Sequence, residues 1–118
     1  MPVIKLTTNI DSSEISADFQ YKLAQVVANS MGKPVDWMFV EISAGARLSQ
    51  GLSNEPLALV NVTSNGGVSR EENQKHIDAI CKFLKESLKL DKEKILINFH
   101  QMDGSMIGFN GKLLANKI

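Results

Sequence analysis

The fold is decided by VIKLTT at residues 3–8, MFVEISA at residues 38–44 and the helical pattern between them. Residues 3–8 are rich in β-branched and aliphatic side chains, which favours a strand. In residues 38–44 every second residue is apolar, which is typical of a half-buried strand. Between these segments, apolar residues recur at the spacing of one helix face: Phe19, Leu23, Val26, Val27 and Met31. This order predicts a β-α-β unit.

Cap residues predict where the first helix begins and ends. Ser16 stands shortly before Asp18, an acid suited to a first turn, so we expect Ser16 to be the N-cap. Gly32 is followed by Pro34, which is typical of a helix C-terminus. Glycine adopts the left-handed backbone readily, and proline cannot continue the helix.

The second half of the chain repeats this order. Residues 45–56 are rich in Gly, Ser and Asn and predict a loop between a strand ending near residue 44 and a third strand at residues 57–63. Ser69 and Glu72 have capping-box spacing and open a second helix, and residues 95–100 predict a fourth strand. The apolar stripe of that helix is Ile77, Ile80, Cys81, Leu84 and Leu88.

The chain is therefore predicted to be α+β, with two β-α-β units forming a four-stranded mixed sheet and both helices on one face. We expect residues 1–118 to form a single domain. The opposite face of the sheet would carry polar residues mixed with Val3, Phe39 and Leu96. Because two helices cannot cover both faces, we expect open strand edges and this face to pair between subunits.

Composition excludes several function classes. Lys plus Arg and Asp plus Glu are both 13, so the net charge is zero and neither a nucleic-acid-binding tail nor a polybasic membrane anchor is indicated. No apolar run reaches the roughly 20 residues of a membrane span. The first residues lack a signal-peptide pattern, which favours a cytoplasmic location. One cysteine and two histidines make a zinc site improbable, and no cofactor motif is found.

Pro2 is the most informative candidate for chemistry. A small residue after the initiator Met generally permits removal of that Met, which would leave Pro2 as a free secondary amine. A buried strand directly behind it would place the amine in an apolar pocket, where desolvation lowers its pKa from about 8. A neutral amine at pH 7 can act as a general base. The alternative is that Met-Pro is merely a common start.

Two further residues are candidates for binding. Lys33 can hold a carboxylate as a point charge, or it can simply be the cation that is favoured near a helix C-terminus. Asn98 shares a strand face with Leu96 and can donate an amide hydrogen bond to a carbonyl or enolate. Its alternative role is to pair with a neighbouring strand. Cys81 is expected to be an inert core thiol.

Taken together, these features resemble the family of macrophage migration inhibitory factor and D-dopachrome tautomerase, within the tautomerase superfamily. The likeness runs in order along nearly the whole chain. It is carried by Met1-Pro2, Thr8-Asn9, Gly32-Lys33-Pro34, Ser53-Asn54-Glu55-Pro56, Ser64-Asn65-Gly66-Gly67, Ile97-Asn98-Phe99 and Gly108-Phe109-Asn110-Gly111. The resemblance implies a homotrimer with three active sites at subunit interfaces.

The resemblance also implies roles for individual residues. Pro2 would be the catalytic base that moves a proton between carbon and oxygen in phenylpyruvate-like or dopachrome-like substrates. Lys33 matches the family lysine that contacts the substrate's carboxylate or carbonyl. Asn65 matches a position that contacts ligand through its main chain, and Asn98 matches an asparagine supplied by the adjacent subunit.

The pocket wall of the family is matched with departures. Ile107 and Phe109 stand at its apolar and aromatic positions, and Phe109 replaces the usual tryptophan. Leu96 stands where vertebrate members usually have a tyrosine, and Asn65 replaces an isoleucine. These changes bear on substrate preference and rate more than on the base.

The resemblance implies a cofactor-independent intramolecular isomerase of the tautomerase type. The alternative is a cytokine-like protein that binds the class II invariant chain on immune cells, with a vestigial pocket. Family members leave cells without a signal peptide, so secretion by a non-classical route stands beside the cytoplasmic location. A third interpretation keeps only a ferredoxin-like α+β binding module without catalysis.

Overall fold

The structure is a computed structural model that describes residues 1–114. Its sheet has the strand order β2-β1-β3-β4, with β1 at Val3–Thr8, β2 at Phe39–Ser43, β3 at Ala58–Ser64 and β4 at Ile95–Gln101. The pairs β1–β2 and β3–β4 are parallel, whereas β1 and β3 are antiparallel. A helix joins the strands of each parallel pair, so the predicted α+β fold of two β-α-β units is confirmed.

Both helices, α1 at Phe19–Met31 and α2 at Arg70–Leu88, pack on the same face of the sheet. Alternate strand residues point towards them because successive side chains of a strand face opposite ways. The largest members of this core are Ile4, Leu6, Phe19, Leu23, Ile80 and Leu84. Burying one such side chain stabilises the fold by about 1.5–3 kcal/mol.

The two ends of α1 differ in how well the sequence predicts them. The prediction that Ser16 is the N-cap is wrong: Asp18 is the N-cap, and the Ser16 hydroxyl donates to the Asp18 carboxylate at 2.9 Å. Asp18 directly precedes Phe19, whereas Ser16 stands two residues earlier and bonds to the Asp18 side chain. The C-terminus is as predicted, since Gly32 adopts φ 66° directly after Met31.

Ser69 caps α2 as predicted, and its Oγ accepts the Glu72 N–H at 3.1 Å. In a capping box the Glu72 side chain would accept the Ser69 N–H. Here Asn73 Oδ1 accepts it instead, at 3.0 Å. This cap fixes the start of α2 just after the turn that follows β3.

A short hairpin that the sequence pattern does not predict follows β4. Its strands are β5 at Gly108–Phe109 and β6 at Lys112–Leu113, and its turn residues Asn110 and Gly111 have φ values of 55° and 75°. Two consecutive positive φ values are typical of a tight hairpin turn. The hairpin brings the Phe109 ring edge-on to Phe39, with 6.1 Å between ring centroids.

The face of the sheet opposite the helices is uncovered in the single chain. Val3, Phe39 and Leu96 are 44%, 49% and 58% exposed, as expected for residues that two helices cannot reach. A Lys5–Glu41 ion pair at 3.8 Å lies among them. Within residues 1–114, no helix combines the length and hydrophobicity needed to cross a membrane.

Candidate active site

A cavity of about 510 Å³ lies beside the residue that precedes β1. This volume is in the range of small-molecule sites. Its walls come from the chain start, the segment after α1, the turn after β3 and the hairpin region: Met1, Lys33, Asp36, Trp37, Asn65, Phe109 and Leu114. Four separated parts of the chain thus meet at one cavity that holds both charged and aromatic groups.

Pro2 is fully buried and does not itself line this cavity, but it is bonded to Met1, which does. Its carbonyl accepts the Phe39 N–H at 3.0 Å, which fixes Pro2 against the start of β2. Met1 continues from it into the cavity lining, and the Met1 amino group donates to Asn65 Oδ1 at 2.8 Å. While Met1 is attached, the Pro2 nitrogen is an amide and has no basic lone pair.

The Met1 amine reports on the electrostatics at this end of the chain. Its pKa lies below the usual value of an α-amino group, first because burial disfavours the ammonium and second because Lys33 is nearby. Both causes act on any amine held at this place. The cavity therefore favours the neutral form of an N-terminal amine.

Lys33 supplies the positive charge of the cavity. Its Nζ donates to the Gly66 carbonyl at 3.0 Å and to Ser64 Oγ at 3.2 Å. Burial lowers the pKa of Lys33, and Glu72 opposes this shift only in part. Within the described part of the chain, no carboxylate forms an ion pair with Lys33. Since an ammonium has three donors, one remains for a bound anion.

Backbone geometry explains why Lys33 reaches this position. Gly32 turns the chain out of α1 through its left-handed conformation, and Lys33 follows directly. The side chain then crosses Gly67, whose φ is 76°; a Cβ there would stand 3.3 Å from Lys33 Cε. Glycine at this turn both permits the backbone conformation and leaves room for the lysine stem.

The aromatic wall has one member that sequence reasoning missed. Trp37 lies in a short 3-10 turn at Val35–Trp37, and it lines the cavity together with Phe109. Asp36, from the same turn, was also missed. Two features of the sequence could have pointed to Trp37 as a site residue: it is the only tryptophan of the sequence, and it stands close to Gly32-Lys33-Pro34.

The structure brings some of the predicted site residues together and leaves others apart. Lys33, Asn65 and Phe109 line the cavity beside the chain start. Ile107 is half-buried and its carbonyl accepts the Leu114 N–H at 2.8 Å, so it supports a lining residue without lining the cavity. Leu96 and Asn98 are exposed on the uncovered face of β4.

The Asn98 side chain is hydrogen-bonded to the neighbouring strand. Its Nδ2 donates to Asn61 Oδ1 at 3.4 Å, across the β3–β4 pair. The Asn65 side-chain oxygen accepts from the Met1 amine, and the main-chain contact to a ligand that the resemblance implies stays a prediction. No group of His, Cys, Asp and Glu side chains among residues 1–114 is placed to hold a metal ion.

The cavity can therefore do two things chemically. Its ammonium group and aromatic walls fit a small anion that carries an aromatic ring. An amine with a lowered pKa at the chain start can accept a proton near neutral pH.

Comparisons with known proteins agree with the fold described above. The family model for macrophage migration inhibitory factor (MIF) matches residues 1–115. The MIF-like protein mif-2 of Caenorhabditis elegans is 38% identical over 115 residues, covering 98% of this chain and 96% of that protein. D-dopachrome decarboxylase of Mus musculus is 36% identical, covering 98% of each.

Solved structures agree as well. The macrophage migration inhibitory factor of Trichinella spiralis superposes with a TM-score of 0.89 at 29% identity, covering 93% of this chain and 97% of that one. The agreement therefore concerns the fold of two helices on a four-stranded mixed sheet.

Proposed function

The chain belongs to the macrophage migration inhibitory factor family, and we propose that it is a cofactor-independent keto–enol tautomerase. In this proposal Met1 is removed and Pro2 is the general base. The substrates are small aromatic keto or enol acids of the phenylpyruvate or dopachrome type. The observation that carries the proposal is the cavity where the chain start meets Lys33 and an aromatic wall.

The proposed reaction moves one proton. The neutral Pro2 nitrogen removes a proton from the carbon next to the substrate carbonyl, and the electrons of that C–H bond form the C=C bond of the enol. The carbonyl electron pair moves onto oxygen, which then receives the proton from the Pro2 ammonium. Lys33 stabilises the negative charge of the carboxylate or of the developing enolate oxygen.

The electrostatics at Met1 support Pro2 as the base. Burial and Lys33 lower the pKa of the Met1 amine, and Pro2 is more deeply buried than Met1. Removal of Met1 would also open the part of the cavity that this residue now lines, directly beside the Pro2 nitrogen. In the proposal, the same two causes act on the Pro2 amine once Met1 is removed, and they favour its neutral form, as a base at neutral pH needs.

The proposal includes a homotrimer. The uncovered sheet face and the open edges of β2 and β4 are surfaces that association would cover. Leu96 and Asn98 lie outside the cavity of their own chain, so they would contribute to a site through a neighbouring subunit. Sedimentation equilibrium tests this assembly, and a monomer at micromolar concentration would contradict it.

The activity is tested with Pro2→Gly. After intact mass has shown that Met1 is removed from the wild type, the variant should lose at least about 100-fold in the rate of phenylpyruvate ketonisation, the scale of general-base catalysis. Pro56→Gly, in the exposed loop, is the matched control and should keep full activity. Retention of Met1, or full turnover by Pro2→Gly, would refute the proposed mechanism.

A receptor role, with export from the cell, is a separate proposal that rests on the family alone. Pro2→Gly distinguishes the two roles, because a folded variant without turnover can still bind a receptor. Binding of that variant to the invariant-chain ectodomain would favour the cytokine-like role, and no complex at micromolar concentration would oppose it.

A further inference from the structure

His76 is a buried polar side chain that the proposed reaction does not use. It lies on α2, is only 3% exposed, and packs its ring near Phe99 with 6.1 Å between ring centroids. Both ring nitrogens have partners from other elements. A buried imidazole with two such bonds fixes the groups that it joins, because losing either bond leaves a buried polar atom unsatisfied.

The first partner of His76 is the turn that follows β3. Its Nε2 lies 2.6 Å from the Gly67 carbonyl oxygen. A carbonyl oxygen can only accept, so this nitrogen carries the proton and donates. The bond ties α2 to the turn whose neighbouring carbonyl, that of Gly66, accepts the Lys33 ammonium.

The second partner is the end of α1. His76 Nδ1 lies 2.5 Å from Ser30 Oγ, and Ser30 is 9% exposed. In the neutral imidazole whose Nε2 donates, Nδ1 accepts the Ser30 hydroxyl. Ser30 stands three residues before Lys33, so this bond fixes the helix turn from which Lys33 departs.

These contacts form a closed ring of interactions. Lys33 is held at its backbone by the end of α1 and at its ammonium by Gly66, and its stem crosses Gly67. His76 joins both supports. Displacement of either support would move the ammonium relative to the cavity, where a carboxylate must meet it within hydrogen-bond distance.

We propose that His76 is a positioning residue that acts through Lys33, by holding the Ser30 end of α1 and the Gly67 turn at a fixed separation. The inference rests on the proposed function for its kinetic consequences. Its structural part, the placement of Lys33, does not depend on turnover.

The test compares three variants. His76→Phe keeps the ring and removes both bonds, Ser30→Ala removes only the α1 bond, and His76→Gln retains an amide donor for Gly67. We expect His76→Phe to raise the KM of an aromatic pyruvate by about tenfold, the scale of a lost hydrogen bond to a charged group, with a smaller change in kcat. His76→Gln should recover part of this loss.

A double-mutant cycle separates positioning from general destabilisation. In a Lys33→Ala background, His76→Phe should raise KM no further, because the residue through which it acts is absent. Ile80→Val, also buried on α2, is the matched control: it should lower the stability and leave KM unchanged. Equal and additive KM effects in both backgrounds would overturn the proposal.

A second readout does not require activity. NMR titration of Lys33 labelled at Cε should show its pKa rising towards the usual lysine value in His76→Phe, because a lysine released from its supports is more solvated. If His76→Phe does not fold, the same titration of Lys33 is made on Ser30→Ala. An unchanged Lys33 pKa and KM would refute the positioning role. If the wild type shows no turnover but the Lys33 pKa shifts in His76→Phe, the positioning role of His76 is supported. Only the proposed tautomerase activity is then refuted.

Discussion

In both β-α-β units the segment between the helix and the next strand, here called the exit, has the same backbone plan. The two exits differ in the lysine side chains found at or beside them. In the first exit, residues 32–37, Gly32 has a left-handed backbone and a 3-10 turn precedes β2. In the second exit, residues 89–94, Lys89 has φ 60° and a 3-10 turn precedes β4. The backbone plan is thus repeated, and the two exits differ in the surroundings of their cations.

The first exit holds a half-buried Lys33 whose partners are a hydroxyl and a carbonyl, and burial lowers the pKa of Lys33. Beside the second exit, Lys85 pairs with Asp91 at the surface, which raises the pKa of Lys85. A partly desolvated ammonium without a carboxylate costs stability and is available to a ligand. A solvated pair has neither property. The comparison favours Lys33 over Lys85 as the cation that a ligand would meet.

The largest expected effect comes from removing Lys33, and the comparison is Lys85, which lies in α2 beside the second exit. Lys33→Ala should raise the KM of an aromatic pyruvate by about 10- to 100-fold, since hydrogen bonds to charged groups contribute about 1.5–3 kcal/mol. Lys85→Ala should leave KM within about twofold, because an exposed pair contributes little. Steady-state kinetics of both variants measures the difference, and equal effects would show that the exits are not distinct.

Sequence periodicity is sufficient to predict the four main strands, both helices and their grouping into two β-α-β units, because each element buries one face. It fails where a local bond competes, as at Ser16, whose hydroxyl binds Asp18 and does not cap α1. It also fails for the hairpin at Phe109, whose two-residue strands show no period.

The site is predicted in part for a similar reason. Pro2 and Lys33 stand beside turn and strand signals that give their position. His76 has no such signal, since its partner Ser30 is 46 residues away and only the folded helices bring them together. Trp37 lies in a 3-10 turn without periodicity. Among the described residues the Asn98 side chain donates to Asn61, and the ligand contact that the resemblance implies for Asn98 requires an adjacent subunit that one sequence does not specify.

The next effect concerns the stability of the two exits. Gly32→Ala should lower the free energy of unfolding by about 1–2 kcal/mol, because a Cβ strains the left-handed backbone although space is open around it. Lys89→Gly should have the opposite sign, a gain of about 0.5 kcal/mol after the entropy of glycine is subtracted. Urea unfolding measures both, and a loss of stability in Lys89→Gly would show that φ 60° at this exit is not strained.

The smallest effect is the pH dependence that the two lysines give to stability. The pKa of Lys33 is lower in the fold than its usual value of 10.5, so the unfolded chain binds more protons between the two values and stability rises with pH across that window. The pKa of Lys85 is raised by Asp91, so its contribution is complete below 10.5 and is lost as the pH rises through the folded value. Urea midpoints at fixed protein concentration, measured on both sides of pH 10.5, should therefore rise with pH below 10.5, where Lys33 titrates, and fall with pH above it, where Lys85 titrates. Lys33→Met should flatten the rise of the urea midpoint with pH, and Lys85→Met should remove its fall. If both variants changed the slope in the same direction, the two lysines would have the same surroundings and the contrast between the two exits would be lost.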